Sequence, residues 1–84
     1  MAEVEIEYCV PCGHLGAGEE IQHRLLETYG QGVKGVRLKT GHGGVLVVRV
    51  GDEVVFDKHR GDAYDVEGIV AAVGARLGDR APAA

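Results

Sequence analysis

Apolar and acidic residues alternate strictly near the start of the chain. The alternation separates two sets of side chains, with Glu3, Glu5 and Glu7 on one side and Val4, Ile6 and Tyr8 on the other. A period of two residues is typical of a strand that buries one face and exposes the other. Residues 3–8 are therefore predicted to form a first strand with one charged face.

Two later segments carry apolar residues at helical spacing. In residues 13–29, which end before Gly30, the stripe consists of Ile21, Leu25, Leu26 and Tyr29. In residues 66–77 the stripe consists of Val66, Ile69, Val70, Val73 and Leu77. Asp65 is suited to the N-cap of the second segment and Gly78 to its end. The pattern predicts two amphipathic helices, each with one apolar face.

The remaining segments predict three strands. Residues 33–39 alternate, and two β-rich runs at 45–50 and 53–57 are separated by Gly51-Asp52, which is typical of a two-residue hairpin. The order β-α-β-β-β-α contains a crossover helix, so the first two strands should be parallel. We predict an α/β fold: a four-stranded mixed sheet with two helices on one face and the other face largely open to water.

Length and charge narrow the possible functions. The 84 residues suit a single domain, which we expect over residues 1–78, with residues 79–84 as a flexible tail. A net charge of −4 argues against nucleic acid as a partner, and no apolar run is long enough to cross a membrane. The N-terminus lacks the basic start and apolar stretch of a signal peptide, which predicts a cytoplasmic location.

Cys9 and Cys12 are the only cysteines of the sequence. Two thiols at this spacing can close a disulfide, and a helix N-terminus beside them favours the thiolate form of Cys9. In a reducing compartment such a pair is more often catalytic or metal-binding than structural. Pro11 fits the first turn of the following helix. Cys12 is expected one turn into that helix, less exposed than Cys9 and able to attack a mixed disulfide formed at Cys9.

Three motifs together resemble a known family. They are Tyr8-Cys9-Val10-Pro11-Cys12, then Gly41-His42-Gly43-Gly44 before a Val-rich hairpin, then Lys58 and Arg60-Gly61 before the last helix. In this order of elements they resemble the selenoprotein W-like (Rdx) family, which has a minimal thioredoxin-like fold. The resemblance covers residues 3–78. One departure is the segment Gly61-Asp62-Ala63-Tyr64-Asp65, where the family usually carries Gly-Gly-Phe-Pro.

The resemblance implies a thiol–disulfide redox role. By motif match Cys9 would be the reactive thiol and Cys12 the resolving one, with Tyr8, Val10, Pro11 and His14 as supporting residues. Thiol or disulfide partners such as glutathione or a protein are implied, and oxidoreductase-like activity would follow. Because the sulfur pair itself holds two electrons, no bound cofactor and no metal is predicted.

The sequence leaves two other classes of function open. One is a protein-interaction module in which the cysteine pair is a redox switch without turnover. The other is metal handling, because thiolates suit Cu(I) and Zn²⁺. Copper chaperones share the position of the cysteine pair, but they end in a strand and carry a Met before the motif. This chain has neither the final strand nor the Met. For zinc, Cys9 and Cys12 would need His14 together with His42 or His59.

The four histidines have simpler interpretations as well. His23 is expected on the solvated face of the first helix, and His42 and His59 are expected in exposed loops. His14 could instead add positive charge near Cys9 and favour its thiolate. The Gly41–Gly44 segment lacks the Lys-Ser/Thr ending of a phosphate loop, so a flexible turn with positive φ angles is predicted. In the thioredoxin-like fold that the resemblance implies, this turn could lie near Cys9.

Overall fold

The computed structural model describes residues 3–77. It contains four strands and two α-helices: β1 (Glu3–Cys9), α1 (Leu15–Tyr29), β2 (Gly35–Gly41), β3 (Leu46–Val50), β4 (Glu53–Asp57) and α2 (Val66–Leu77). Two short 3-10 turns follow α1 and β4, at Gly30–Gly32 and Lys58–Arg60. The predicted helix end at Gly78 and the predicted tail at 79–84 lie outside the described residues.

The sheet has the strand order β2-β1-β3-β4, so β1 lies in its interior. β1 pairs parallel with β2 and antiparallel with β3, and β3 pairs antiparallel with β4. This confirms the predicted α/β class, the four-stranded mixed sheet and the parallel first pair. The ends of β1, β2 and β4 and the start of β3 therefore meet at one edge of the sheet, the edge where Cys9 lies.

Both helices pack on the face of β1 that carries its apolar residues. The core contains Val4, Ile6, Ile21, Leu25, Val48, Phe56, Ile69, Val70, Val73 and Leu77, all buried. The helices also contact one another, where the Tyr29 hydroxyl donates a 2.7 Å hydrogen bond to the Val70 carbonyl. The burial of both stripes explains why neither helix needs strong propensity of its own.

Leu26 is an exception to the predicted stripe of α1. Its side chain is 44% exposed, whereas Leu25 is fully buried. Successive residues of an α-helix are rotated by about 100°. Leu26 is therefore rotated out of the line of Ile21 and Leu25, and its place in the buried stripe of α1 was wrong.

Ion pairs cover the other face of the sheet. Strand register sets Glu5 between Arg37 on β2 and Arg49 on β3. Glu5 accepts hydrogen bonds from both arginines, and Arg49 also lies 3.2 Å from Glu7. The hydrogen bond from Arg37 is the main reason that the pKa of Glu5 falls below its ordinary value. The charged face of β1 is thus paired across the strands as well as facing water.

α1 and β2 begin two residues later than expected from the sequence, whereas β1 and β3 differ from the expectation by one residue at one end. α1 begins at Leu15 instead of residue 13, because Gly13 adopts a φ of +77° that a helix cannot contain. β2 spans Gly35–Gly41 instead of 33–39, because the 3-10 turn after α1 delays the strand. The Gly51-Asp52 hairpin turn is confirmed, with Gly51 at φ +59°. A bulge between β3 and β4 then sets Phe56 opposite Val48.

Candidate redox site at the edge of the sheet

The cysteine motif follows the end of the central strand directly. β1 ends at Cys9, and residues 10–14 form a turn that leads into α1. The Cys9 amide donates a 2.8 Å hydrogen bond to the Val45 carbonyl, and the Val10 amide donates a 3.1 Å bond to the Gly41 carbonyl. The β2–β3 loop is therefore bound to the motif on both sides, as expected for a loop near Cys9. Its glycines Gly43 and Gly44 have the predicted positive φ angles.

The backbone of the motif is a closed turn that precedes the helix. The Gly13 amide donates to the Val10 carbonyl at 3.1 Å, and the His14 amide donates to the Cys9 carbonyl at 3.2 Å. Pro at the second position and Gly at the fourth are typical of such a turn. The expectation that Pro11 and Cys12 lie in the first turn of α1 was wrong, because Gly13 ends the turn before the helix begins.

Cys9 and Cys12 are joined by a disulfide, with their Cα atoms 5.3 Å apart. This separation lies within the usual range for disulfides. The pair therefore closes within one local turn, as the spacing in the sequence predicted.

The two cysteines differ in exposure, in the order opposite to the expectation. Cys9 is completely buried, whereas Cys12 is exposed. Cys9 belongs to an interior strand, between Gly41 of β2 and the Val45 backbone. Cys12 lies in the turn beyond the edge of the sheet. The prediction that Cys12 is the less exposed cysteine was wrong.

The start of α1 faces this turn with its N–H groups. His14 is the N-cap residue, and its side chain makes no capping hydrogen bond. The first turn of α1 contains no acidic residue. The positive end of the helix dipole is therefore not neutralised within the helix. α1 packs on the sheet here, since a Cβ at Gly18 would be in ordinary van der Waals contact with Leu38 at 3.4 Å and with Ile6 at 3.7 Å.

Exposed apolar side chains flank the exposed cysteine along the chain. Val10 and Leu15 are 52% and 44% exposed, and Pro11 is exposed between them. Tyr8 instead points into the core and is only 9% exposed, which agrees with a packing role. The surface around Cys12 thus combines apolar side chains with a helix N-terminus.

Residues of the turn after β4 reach the same edge. The Lys58 Nζ atom lies 3.5 Å from the His14 Nε2 atom, although the residues are 44 positions apart. A Cβ at Gly44 would lie 3.3 Å from His59 Nε2, so His59 lies against the β2–β3 loop. Sequence reasoning missed this role for Lys58. The signal was available, because β4 must end at the edge where β1 ends.

The other histidines lie where they were expected. His42 is exposed in the β2–β3 loop, His59 is exposed in the short 3-10 turn after β4, and His23 is exposed on α1, 3.9 Å from Glu27. Within residues 3–77 no group of three or more His, Cys, Asp or Glu side chains is arranged to hold a metal ion. The four-ligand zinc set considered from the sequence is therefore not assembled in the described chain.

The segment that departs from the family pattern packs against α1. Tyr64 donates a 3.1 Å hydrogen bond to Glu20 Oε1 and lies edge-on to Phe56, with ring centroids 6.3 Å apart. Partial burial, followed by the Glu20 contact, raises the pKa of Tyr64. An open groove of about 330 Å³ lies behind this segment, between β4 and α2, and none of residues 8–14 lines it.

Comparison with known proteins agrees with this geometry. A sequence profile of the Rdx family matches residues 3–74. The chain belongs to the Rdx family. This confirms the resemblance found in the sequence. Curated protein sequences contain no significant match to this family member.

Solved structures share the fold of this Rdx protein. A crystal structure from Bordetella parapertussis has a TM-score of 0.84 at 24% identity, covering 89% of this chain and 96% of that chain. A crystal structure of a selenoprotein W-related protein from Vibrio cholerae has a TM-score of 0.83 at 21% identity, covering 90% and 96%. At these identities the likeness establishes the fold alone. Among residues 3–77 no helix is both long and apolar enough to cross a membrane.

Proposed function

We propose that this Rdx protein is a thiol–disulfide redox protein whose Cys9–Cys12 pair cycles between dithiol and disulfide. The observation that carries the proposal is the disulfide itself, which has one buried and one exposed cysteine at the edge of the sheet. Family membership supports a redox role of this type. A structural staple alone would not need an exposed sulfur beside a helix N-terminus.

The difference in exposure favours Cys12 as the sulfur that meets the partner. In the reductive direction a partner thiolate attacks the Cys12 sulfur, and the new S–S bond forms as the Cys9–Cys12 bond breaks. The electron pair leaves with the Cys9 sulfur, which then takes up a proton. A second thiolate releases the first as a disulfide and leaves Cys12 reduced, so two electrons enter the protein.

In the oxidative direction the same steps run in reverse. The Cys12 thiolate attacks an oxidised partner, and Cys9 then attacks the Cys12 sulfur to release the reduced partner. This assignment exchanges the roles that motif matching gave to the two cysteines. The reason is access, because a thiol must reach the sulfur that it attacks. We propose glutathione or a protein thiol as the reductant, in the reducing cytoplasm.

Two measurements test the proposal. The first is a redox titration of the pair, read by thiol alkylation and mass. We expect one two-electron transition between about −280 and −120 mV, the range of exchange-active protein dithiols. A pair that forms no disulfide at any potential would remove the dithiol mechanism.

The second measurement compares Cys9→Ser with Cys12→Ser, which each leave one thiol. We expect the Cys12 thiol of the first variant to form a mixed disulfide with an aromatic disulfide reagent at least about tenfold faster, since the Cys9 thiol reacts only after local opening. Circular dichroism of both variants controls for folding. Equal rates, or a faster Cys9, would restore the roles that motif matching implies.

A further inference from the structure

The positively charged side chains of the protein differ in whether they contact a carboxylate, and the redox chemistry alone does not require this difference. Every arginine within residues 3–77 contacts a carboxylate: Arg24, Arg37, Arg49, Arg60 and Arg76. The three lysines of those residues, Lys34, Lys39 and Lys58, have no such contact, and the Nζ atom of Lys58 lies next to His14 instead. Among residues 3–77 Lys58 is thus a cation without a carboxylate partner that lies next to a residue of the cysteine turn.

The backbone around Lys58 is held in place by its neighbours. Asp57 accepts a 2.9 Å hydrogen bond from the His59 amide, and Asp62 accepts a 3.0 Å bond from the Asp57 amide. The Gly61 amide closes the turn on the Lys58 carbonyl at 3.1 Å, with Gly61 at φ +95°. The position of the Lys58 backbone is therefore set by the fold.

Within the same turn the neighbouring arginine is neutralised. Arg60 donates a 2.6 Å hydrogen bond to Asp62, which raises the pKa of Arg60 and lowers that of Asp62. The cation that remains available at this end of β4 is Lys58. An ammonium group has three N–H donors, so Lys58 has N–H groups for a ligand beyond the one that faces His14 Nε2.

His14 connects this cation to the cysteine turn, because it is the last residue of that turn and contacts Lys58. Its Cα is two residues from that of Cys12, a span of at most roughly 7 Å. A thiol whose carboxylate lies a few bonds from the sulfur that attacks Cys12 would carry this negative charge on the side of the turn where Lys58 lies. We infer that Lys58, oriented by His14, is a specificity residue that favours thiols carrying a carboxylate near the reacting sulfur. This inference rests on the proposed function, because it names the substrate class of the same site.

Three small thiols isolate the effect of charge. They are 3-mercaptopropionate, 2-mercaptoethanol and cysteamine, which carry a negative, a neutral and a positive group near the sulfur. Second-order rate constants for reduction of the Cys9–Cys12 disulfide are measured at about 0.1 M salt with each thiol. Each variant is compared with wild type for the same thiol, so that differences in thiol basicity cancel.

Lys58→Met is the test variant. We expect the ratio of the 3-mercaptopropionate rate to the cysteamine rate to fall about three- to tenfold, the effect of removing one unit charge roughly 6 Å from the ligand charge in a water-like dielectric. Lys58→Arg should retain most of the ratio because it retains the charge. High salt should diminish the wild-type ratio.

Lys34→Met is the matched control. Lys34 is an exposed lysine that precedes β2, at the edge of the sheet opposite to Cys9. The length of β1 separates it from the motif by roughly 20 Å, about two Debye lengths at 0.1 M salt. Its substitution should leave the ratio unchanged.

The outcomes separate failure of the inference from failure of the proposed function. If no thiol reduces the disulfide of the wild-type protein, the redox function itself fails. If all three thiols react and Lys58→Met leaves the ratio unchanged, the inference alone is overturned. An equal slowing with all three thiols also overturns it, because that result indicates a general effect on the disulfide.

A second comparison distinguishes small thiols from polypeptides as the source of the carboxylate. Two cysteine peptides are used that differ only by Asp or Asn beside the cysteine. A preference for Asp that disappears in Lys58→Met, together with slower peptide reaction in Val10→Ser, supports the inference and indicates a polypeptide partner. A preference confined to 3-mercaptopropionate supports it for small thiols. Absence of any charge preference contradicts it.

Discussion

The contact between α1 and α2 provides a quantitative test of how the helix layer is built. Gly74 of α2 lies against the ring of Tyr29 from α1. A Cβ at Gly74 would overlap the Tyr29 hydroxyl and would lie 2.8 Å from its Cζ atom. No side chain fits at Gly74 unless the tyrosine ring moves, so Gly74→Ala tests a contact that neither helix reveals alone.

The expected cost of Gly74→Ala follows from three contributions. Forcing the ring aside costs about 1–3 kcal/mol, by analogy with overpacked cores. Breaking the bond between the Tyr29 hydroxyl and the Val70 carbonyl costs about 1 kcal/mol. Alanine returns about 1 kcal/mol because it favours the helix more than glycine does. The net loss of unfolding free energy is about 1–3 kcal/mol.

Thermal and denaturant unfolding measure this loss. For a domain of this size each kcal/mol corresponds to a fall in Tm of roughly 4–8 °C. Gly16→Ala is the control, since nothing lies within 4 Å of a Cβ at Gly16. We expect that variant to be unchanged or stabilised by up to about 1 kcal/mol.

A double variant tests the cause. In a Tyr29→Leu background the ring is absent, so Gly74→Ala should be neutral or stabilising. The coupling between the two substitutions would then be at least about 1 kcal/mol. If Gly74→Ala stabilises the wild-type protein as Gly16→Ala does, or if the double variant shows no coupling, the packing argument is refuted.

Three further substitutions have definite expected outcomes. Glu5→Gln should cost about 1 kcal/mol at neutral pH by removing the contacts with Arg37 and Arg49. The pKa of Glu5 is lowered in the folded state, so its contribution to the free energy of unfolding is present above the ordinary pKa of 4.5 and is lost as pH falls through the lowered pKa. The free energies of unfolding of the wild-type protein and of Glu5→Gln should therefore converge in acid. Gly13→Ala should lower the free energy of unfolding by about 1 kcal/mol or more, because φ at this position is +77°. Unchanged stability would contradict the left-handed backbone conformation of Gly13. Leu26→Gln should change stability by less than about 0.5 kcal/mol. If urea unfolding instead shows a loss of unfolding free energy as large as that for a buried leucine, Leu26 belongs to the core.

The elements could be read from the sequence because each depends on local periodicity. The alternation along β1, the Gly51-Asp52 turn and the stripe of α2 all predicted structures that the fold contains. The errors arose where one residue changed the local geometry. Gly13 moved the start of α1, and the rotation of one residue took Leu26 out of the core.

The candidate site was partly predictable for the same reason. Cys9 and Cys12 are close in sequence, so their disulfide depends only on the turn between them. Their exposure depends on neighbours supplied by β2 and by the segment before β3, which the motif does not contain. The spacing therefore indicated the chemistry but assigned the accessible sulfur to the wrong cysteine.

The sequence by itself determined the element order, the two apolar helix faces, the charged face of β1 and a cysteine pair able to close a disulfide. These follow from backbone periodicity and from contacts between residues a few positions apart. Only the tertiary structure decided that Cys12 is exposed and that Lys58 lies beside His14. Both depend on strand order and register, which bring residues separated by more than thirty positions to one edge of the sheet. Such long-range pairings are selected by the packing of the whole core and cannot be read from any one segment.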